Sequence, residues 1–404
     1  MKTRSVIHCL SMAIVVSLWA TICPAAESAA VQPVVEVPAV EPKPLVQMAI
    51  LLDTSGSMSG LIDQARTELW SIVNEFILAE RGGRQPEIQV ALYEYGNSGL
   101  SQESGWIRQI VPFTTDLDKV SEELFALKTN GGQEYCGWVI RQATDKLAWS
   151  GSSDDLKVIF IAGNEPFTQG PVDYRRVCKT AIAKGILVNT IHCGGEQEGI
   201  DGKWKDGAVL ADGRYLNIDH SRQVVHIPSP QDREIAELSA VLNQTYVPFG
   251  AEGPVAQERQ MAQDNNAASA SPQAGLQRAL TKSSLYYNNS TWDLVDAVKA
   301  NQVDLGKIKK EQLPENMQEM NAEQRRAYVA AKADERAEIQ AKIQRLNDQR
   351  SRFIAEEMKS RRQQGDTLGS AITQSVREQA AKKDYTFKSA EEPADAAENA
   401  PDKP

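Results

Sequence analysis

The run Met48-Ala-Ile-Leu-Leu-Asp-Thr-Ser-Gly-Ser-Met-Ser-Gly60 decides how the rest of the chain is read. Its apolar half, Met48 to Leu52, reads as a buried strand that stops abruptly at Asp53. Asp53, Ser55 and Ser57 follow at steps of two, with Gly56 between the serines to let the backbone turn tightly. Beyond them Leu61, Ala65, Leu69, Ile72, Val73 and Phe76 recur at steps of three and four, the spacing of a helix face. A strand thus runs into a small polar loop that feeds a helix. In open α/β sheets, loops at the carboxyl ends of strands are where ligands bind.

One carboxylate and two hydroxyls are hard oxygen donors, with no thiol or imidazole among them. They suit magnesium, manganese or calcium rather than zinc or copper. Three such ligands leave positions on a six-coordinate ion for water or an incoming oxygen. The plainer use of the same residues is a helix start, with Asp53 or a serine capping free N–H groups. This Asp-x-Ser-x-Ser loop after an apolar strand resembles the metal-ion-dependent adhesion site of von Willebrand factor type A (VWA) domains.

The resemblance implies a fold and a fuller ligand set. The fold is an α/β, Rossmann-like, doubly wound and mostly parallel sheet. A second loop should supply a threonine; matching the double glycine of Thr129-Asn-Gly-Gly-Gln-Glu134 puts Gln133 or Glu134 there. A third loop should supply an aspartate after the central strand. Here it reads Ala162-Gly163-Asn164 followed by Glu165, so Asn164 or Glu165 would provide the oxygen. The implied metal set is therefore Asp53, Ser55, Ser57, Gln133, Glu134, Asn164 and Glu165, a variant site for Mg²⁺, Mn²⁺ or Ca²⁺. A carboxylate bound directly to the ion would lower its attraction for an acidic ligand. The resemblance also implies a protein partner, whose carboxylate completes the coordination sphere.

The remaining pattern from 45 to 250 alternates strand and helix, as parallel α/β sheets do. Strands are expected at Glu87–Tyr95, Trp106–Phe113, Leu156–Ala162 and Ile186–His192, with helices at Leu117–Leu127, Tyr135–Ala148 and Asp173–Lys184. Ala208–Ile218 resembles the last short helix-turn-strand of VWA domains, and a helix over Pro230–Leu242 closes the unit. His192 ends a strand near the site, where a lone histidine is more often structural than a ligand. The stretch Gly194 to Gly213, with Trp204, is long for a connection; it suits either partner recognition or packing.

Composition bounds the rest. The 404 residues are 24% charged and 41% hydrophobic, ordinary for a soluble globular protein. A net charge of −10 argues against nucleic-acid binding, which leaves a basic footprint. Lys2 and Arg4, an apolar core from Ile7 to Ile22 and small residues at Ala25 and Ala26 read as a signal peptide over 1–26, with an uncleaved anchor as the alternative, hence an exported protein, periplasmic, envelope-associated or secreted. Residues 27–44, with Pro33, Pro38, Pro42 and Pro44, read as an extended linker. Cys136, Cys178 and Cys193 remain in the mature chain; an odd number in an oxidising compartment permits one disulfide and a leftover thiol, with three small buried hydrophobes as the preferred reading.

Residues 251–280, rich in Ala, Gln, Ser and Asn without a clean period, read as a second linker. Residues 281–388 read as a helical region. Within it Ile339, Ile343, Leu346, Arg350 and Phe353 form a heptad seam, for a coiled coil and self-association or for a helix packed on its own domain. Residues 389–404 read as a disordered acidic tail. Two functions fit: an exported VWA-type binding protein that engages a protein through a divalent cation, or an envelope scaffold with a vestigial metal site. No catalytic order, zinc signature or phosphate-binding glycine loop stands out, so an enzyme is not expected.

Overall fold

Strand β1 (Leu45–Asp53) lies in the middle of a six-stranded sheet and pairs in parallel with strands on both sides. The protein is described by a computed structural model covering residues 43–59, 62–64, 72, 75–76, 79–218, 227–284, 287–360 and 368–387. The expected signal peptide, most of the first linker and the acidic tail lie outside these residues.

The remaining strands are β2 (Ala79–Glu80), β3 (Glu87–Tyr95), β4 (Ile107–Thr114), β5 (Leu156–Gly163), β6 (Ile186–Cys193), β7 (Tyr215–Ile218) and β8 (Thr386–Phe387). The large sheet runs β4-β3-β1-β5-β6-β7, with β4 antiparallel to β3 and every other pair parallel. This is the expected mostly parallel Rossmann-like order. Because β1 is covered on both faces, it shows no apolar–polar alternation. Val46, Met48, Ile50 and Leu52 enter one core, and Ala49 and Leu51 enter the other.

Helix α1 (Leu117–Ala126) packs Leu117, Val120 and Leu124 into the first core. Ile62, Ile72 and Phe76 join them there; the rest of the helix expected after the polar loop lies largely outside the described residues. On the opposite face α2 (Cys136–Lys146) and α3 (Tyr174–Ala183) bury Val139, Ile140, Ala143, Val177 and Ala181. The long connection after β6 is not an open loop. It forms α4 (Glu196–Asp201) and α5 (Trp204–Leu210), and Trp204 is fully buried against Phe167, so this connection is used for packing.

Helix α6 (Asp232–Leu242) ends the pattern expected for the sheet domain, but the fold does not end there. The stretch read as a linker is two helices, α7 (Gly253–Ala270) and α8 (Pro272–Lys282). The correction has a physical cause. The buried positions of α7 are Gly253, Ala256, Gln260, Gln263 and Ala267, too small or too polar to give an apolar period. Ser121 donates to Gln263 at 3.1 Å, Arg278 pairs with Asp118, and Lys282 pairs with Asp264 at 2.5 Å.

Then come α9 (Leu294–Lys299), α10 (Ala322–Ser360) and α11 (Leu368–Ala381). Ile339 and Ile343 of α10 belong to the first core together with Ile235 and Leu242 of α6. The heptad seam is therefore spent on the chain's own domain. Val376 and Ala380 of α11 join the same core, and Asn189 of β6 exchanges side-chain amide hydrogen bonds with Gln379. Strand β8 pairs with β2. No helix among the described residues is long and apolar enough to cross a membrane.

Candidate metal centre

Asp53 is the last residue of β1 and Gly163 the last of β5, so both chain ends open on the same edge of the sheet. The backbone after β1 is held on both sides. Thr54 N–H donates to Tyr95 O at 2.9 Å, and Asn130 N–H donates to Thr54 O at 2.9 Å. A short 3₁₀ turn over Gly56–Met58 then brings the serines round, with Met58 anchored in the first core.

Asp53 Oδ1 accepts from Ser55 N–H at 2.7 Å. The Ser55 and Ser57 hydroxyls lie 2.9 Å apart, and Ser57 Oγ donates to Asn164 Oδ1 at 3.1 Å. Glu134, on the loop before α2, is buried, and its backbone N–H donates to Gln169 Oε1 at 2.7 Å. The Ser55 hydroxyl lowers the pKa of both the Asp53 and Glu134 carboxyls, against the effect of their burial. Asp53, Ser55, Ser57, Glu134 and Asn164 are thus brought into one group. Gln133 is not: its side chain is exposed and makes no hydrogen bond to the group. Glu165 is half-buried and adds its charge next to Glu134.

Asp53 is fully buried, and its Oδ2 has no hydrogen-bond partner. Burial, reinforced by the Glu134 carboxylate, pushes its carboxyl up to about 7 against the pull of the Ser55 donors. Burial also pushes Glu134 up to about 7, with Glu165 adding to the effect. Buried polar atoms of native proteins are nearly always paired, so an orphaned carboxylate oxygen calls for a missing partner. A divalent cation fits that role by charge and by donor type: two carboxylates, two hydroxyls and an amide oxygen. Among the described residues no group of three or more His, Cys, Asp and Glu side chains is placed to hold a metal. An ion here would therefore depend on the serines and Asn164 as well as on Asp53 and Glu134.

Several residues that frame the site carry no sequence signal of their own. Gly96 has φ +80°, and a Cβ there would stand 2.7 Å from Asp53 Oδ1. At Gly163 a Cβ would meet the Tyr95 hydroxyl at 2.4 Å, and that hydroxyl donates to Ala162 O at 2.9 Å. His192 is held by its neighbours behind the third site loop. Its Nε2 lies 3.2 Å from Asn164 O, its ring tilts against Trp204, and burial lowers its pKa. Trp204 Nε1 donates to Glu165 O at 2.9 Å, so the connection after β6 braces the third site loop. Cys136, Cys178 and Cys193 are buried and free, as expected for small hydrophobes. Burial pushes all three thiols up, away from reactivity.

Residues 47–200 match the family model of the von Willebrand factor type A domain. Among solved structures, the conserved hypothetical protein BatB from Bacteroides thetaiotaomicron aligns at 17% identity, over 43% of this chain and 90% of that one, with a TM-score of 0.34. The SpRpn10 VWA domain aligns at 18% identity, over 50% and 95%, with a TM-score of 0.34. Proximal thread matrix protein 1 from the mussel byssus, with a zinc occupied MIDAS motif, aligns at 10% identity, over 45% and 43%, with a TM-score of 0.33. No curated protein matches the chain.

Proposed function

We propose that this chain, which carries a von Willebrand factor type A domain at residues 47–200, is an exported binding protein that engages a protein partner through a divalent cation. Domains of this family mediate protein–protein interactions and commonly hold such an ion at the corresponding loops. One observation carries the reading here. Asp53 is sealed from solvent with an unpartnered oxygen, beside two converging hydroxyls at the mouth of the sheet. Asp53, Ser55 and Ser57 would hold the ion, Glu134 and Asn164 would complete the set, and Glu165 would act from outside it. Bound there, Mg²⁺ or Mn²⁺ supplies a positive centre with open positions for a partner's oxygen. The chain's own part is to orient the donors and to keep the loops in register through Gly96, Gln169 and Trp204. We assign no catalysis to this arrangement.

The test is calorimetric titration of Mn²⁺ and Mg²⁺ into residues 43–387, followed by capture of envelope proteins with and without chelator. Saturable binding that Asp53→Ala removes, together with capture that chelator removes, is the expected result. Absence of binding to the wild-type chain would sink the reading. It would leave the scaffold alternative, which is favoured by Asn164 standing where the family places a carboxylate; sedimentation would then report any self-association. Export rests on the first 26 residues, and cell fractionation of a full-length tagged chain checks it.

A further inference from the structure

The C-terminal helices cover one face of the sheet and leave the other free: among the described residues the second core takes no member from α6 to α11. On that free face the groove between α2 and α3 carries charge that the metal centre does not use. Val139, Ile140 and Ala143 of α2 turn to the core. Thr144 and Asp145, three and four residues on from Arg141, form the neighbouring stripe with it. On α3 the cap residue Asp173 is followed at similar steps by Arg176, Val177 and Thr180. The two stripes line a cavity of 390 Å³, with Pro171 and Val172 in its wall.

The acids of this cavity are engaged and its arginines are not. Asp145 pairs with Lys184 at 2.8 Å, and Asp173 Oδ1 accepts from Arg175 N–H at 3.0 Å. Arg141 and Arg176 are exposed, and among the described residues neither guanidinium has a hydrogen-bond or ion-pair partner. Arg141 lies against Trp138, 5.5 Å from the ring centre, a contact that steadies the group and leaves its in-plane donors open. Independently, Thr144 is 3% exposed and its hydroxyl is buried without a partner, where such atoms are nearly always paired. We propose that this cavity binds a phosphate group, free or as a small monoester, gripped by Arg141 from α2 and Arg176 from α3 over the Thr144 hydroxyl. A guanidinium fork on each wall matches a group with three terminal oxygens and nearly two negative charges. A carboxylate offers one edge and one charge, enough for a single fork. The volume is at the small end of ligand sites, and Val172 and Val177 give a short organic body an apolar wall. The site involves none of the metal donors, so it stands or falls apart from the cation reading.

The test is calorimetric titration of the full chain, in chloride buffer near neutral pH, with glycerol phosphate, inorganic phosphate and acetate. Saturable one-to-one binding of a phosphate probe is expected, with acetate at least about tenfold weaker. Arg141→Gln and Arg176→Gln should each weaken the phosphate probe by about tenfold or more, through loss of charge-assisted hydrogen bonds. Both side chains are exposed, so neither variant opens the core. Lys179→Gln, at an exposed charge on α3 outside the cavity, should change affinity by less than about twofold, since unspecific attraction to the surface is screened by salt. Glycerol phosphate binding the tighter would assign the ester, and inorganic phosphate binding at least as tightly would assign the free ion; both support the site. Uptake that never saturates, acetate as tight as phosphate, arginine variants that bind like the parent, or Lys179→Gln costing as much as they do would overturn it.

Discussion

A carboxylate sealed from water with one oxygen unpaired weakens the fold that contains it unless a cation sits beside it. Asp53 is in that position. Asp53→Asn keeps the oxygen that accepts from Ser55 N–H and removes the charge. In chelator it should therefore raise the melting temperature by a few degrees, while abolishing the rise that excess Mg²⁺ gives the parent; thermal melts under both conditions check this. A pH dependence follows from the same pair. Asp53 and Glu134 hold their protons up to about 7 in the folded chain, well above ordinary carboxylates. Folded protein then binds more protons than unfolded chain between about pH 4 and 7, so metal-free stability should fall as pH rises through that window. Metal affinity should rise over the same window, because the ion takes only ionised carboxylates. Melts in chelator from pH 5 to 8 that show no slope would contradict this. At this scale the sequence was readable where donors are contiguous, as at Asp53, Ser55 and Ser57. Asn164 and Glu134 came through resemblance. Gly96 and Gln169 did not come at all, because their contribution is proximity across tens of residues, which no local period records.

Among the elements, α10 shows how charge can obscure a seam. Val329, Arg336, Ile339, Ile343, Leu346 and Arg350 lie at heptad-like steps on one stripe, and all but the half-buried Leu346 are buried. The arginines break the apolar pattern, which is why the stripe reads equally well as coiled coil or as domain packing. The structure shows what they meet. Arg336 bonds to Asp293 at 2.8 Å, to Asp296 at 3.0 Å and to Thr245 O at 2.8 Å, with its guanidinium 4.1 Å from the Tyr246 ring centre. Arg350 donates to Asp232 at 2.8 Å. Removing one partner of a buried pair leaves the other uncompensated, so Arg336→Ala should cost about 3–5 kcal/mol. Ile343→Ala, a cavity in a packed core, should cost about 2–5 kcal/mol. Arg350→Ala, which loses a single charged partner where Arg336 loses several, should cost less, about 1.5–3 kcal/mol. Urea unfolding of the three variants checks the order, and Arg336→Ala costing less than Arg350→Ala would count against the packing described.

For the molecule as a whole, the first core does not stop at the sheet domain. It runs from Met48 and Phe160 in the strands through Leu276, Leu280, Tyr287 and Trp292 to Ile343 and Val376. The buried ions tell the same story: Asp118 of α1 is met by Arg278 of α8, and the Tyr287 hydroxyl donates to Asp118 at 2.5 Å. A domain boundary at 250, natural from the α/β pattern, therefore cuts through one hydrophobic core. Burial of a large apolar side chain contributes about 1.5–3 kcal/mol, so losing this many partners exceeds the net stability of a typical domain. Residues 43–387 should unfold in urea as one cooperative transition. Residues 43–250 should lose stability and self-associate through the uncovered face, visible by sedimentation at concentrations where the longer chain stays monodisperse. A fragment that stops at 250 yet matches the longer chain in both midpoint and slope would mean that α8, α10 and α11 cover a domain already complete. Metal titrations on the short fragment would then be equivalent to those on the whole. The shared core argues the reverse: the helical region is part of what keeps β1 and its loop in place, and metal affinity measured on the short fragment should fall together with its stability.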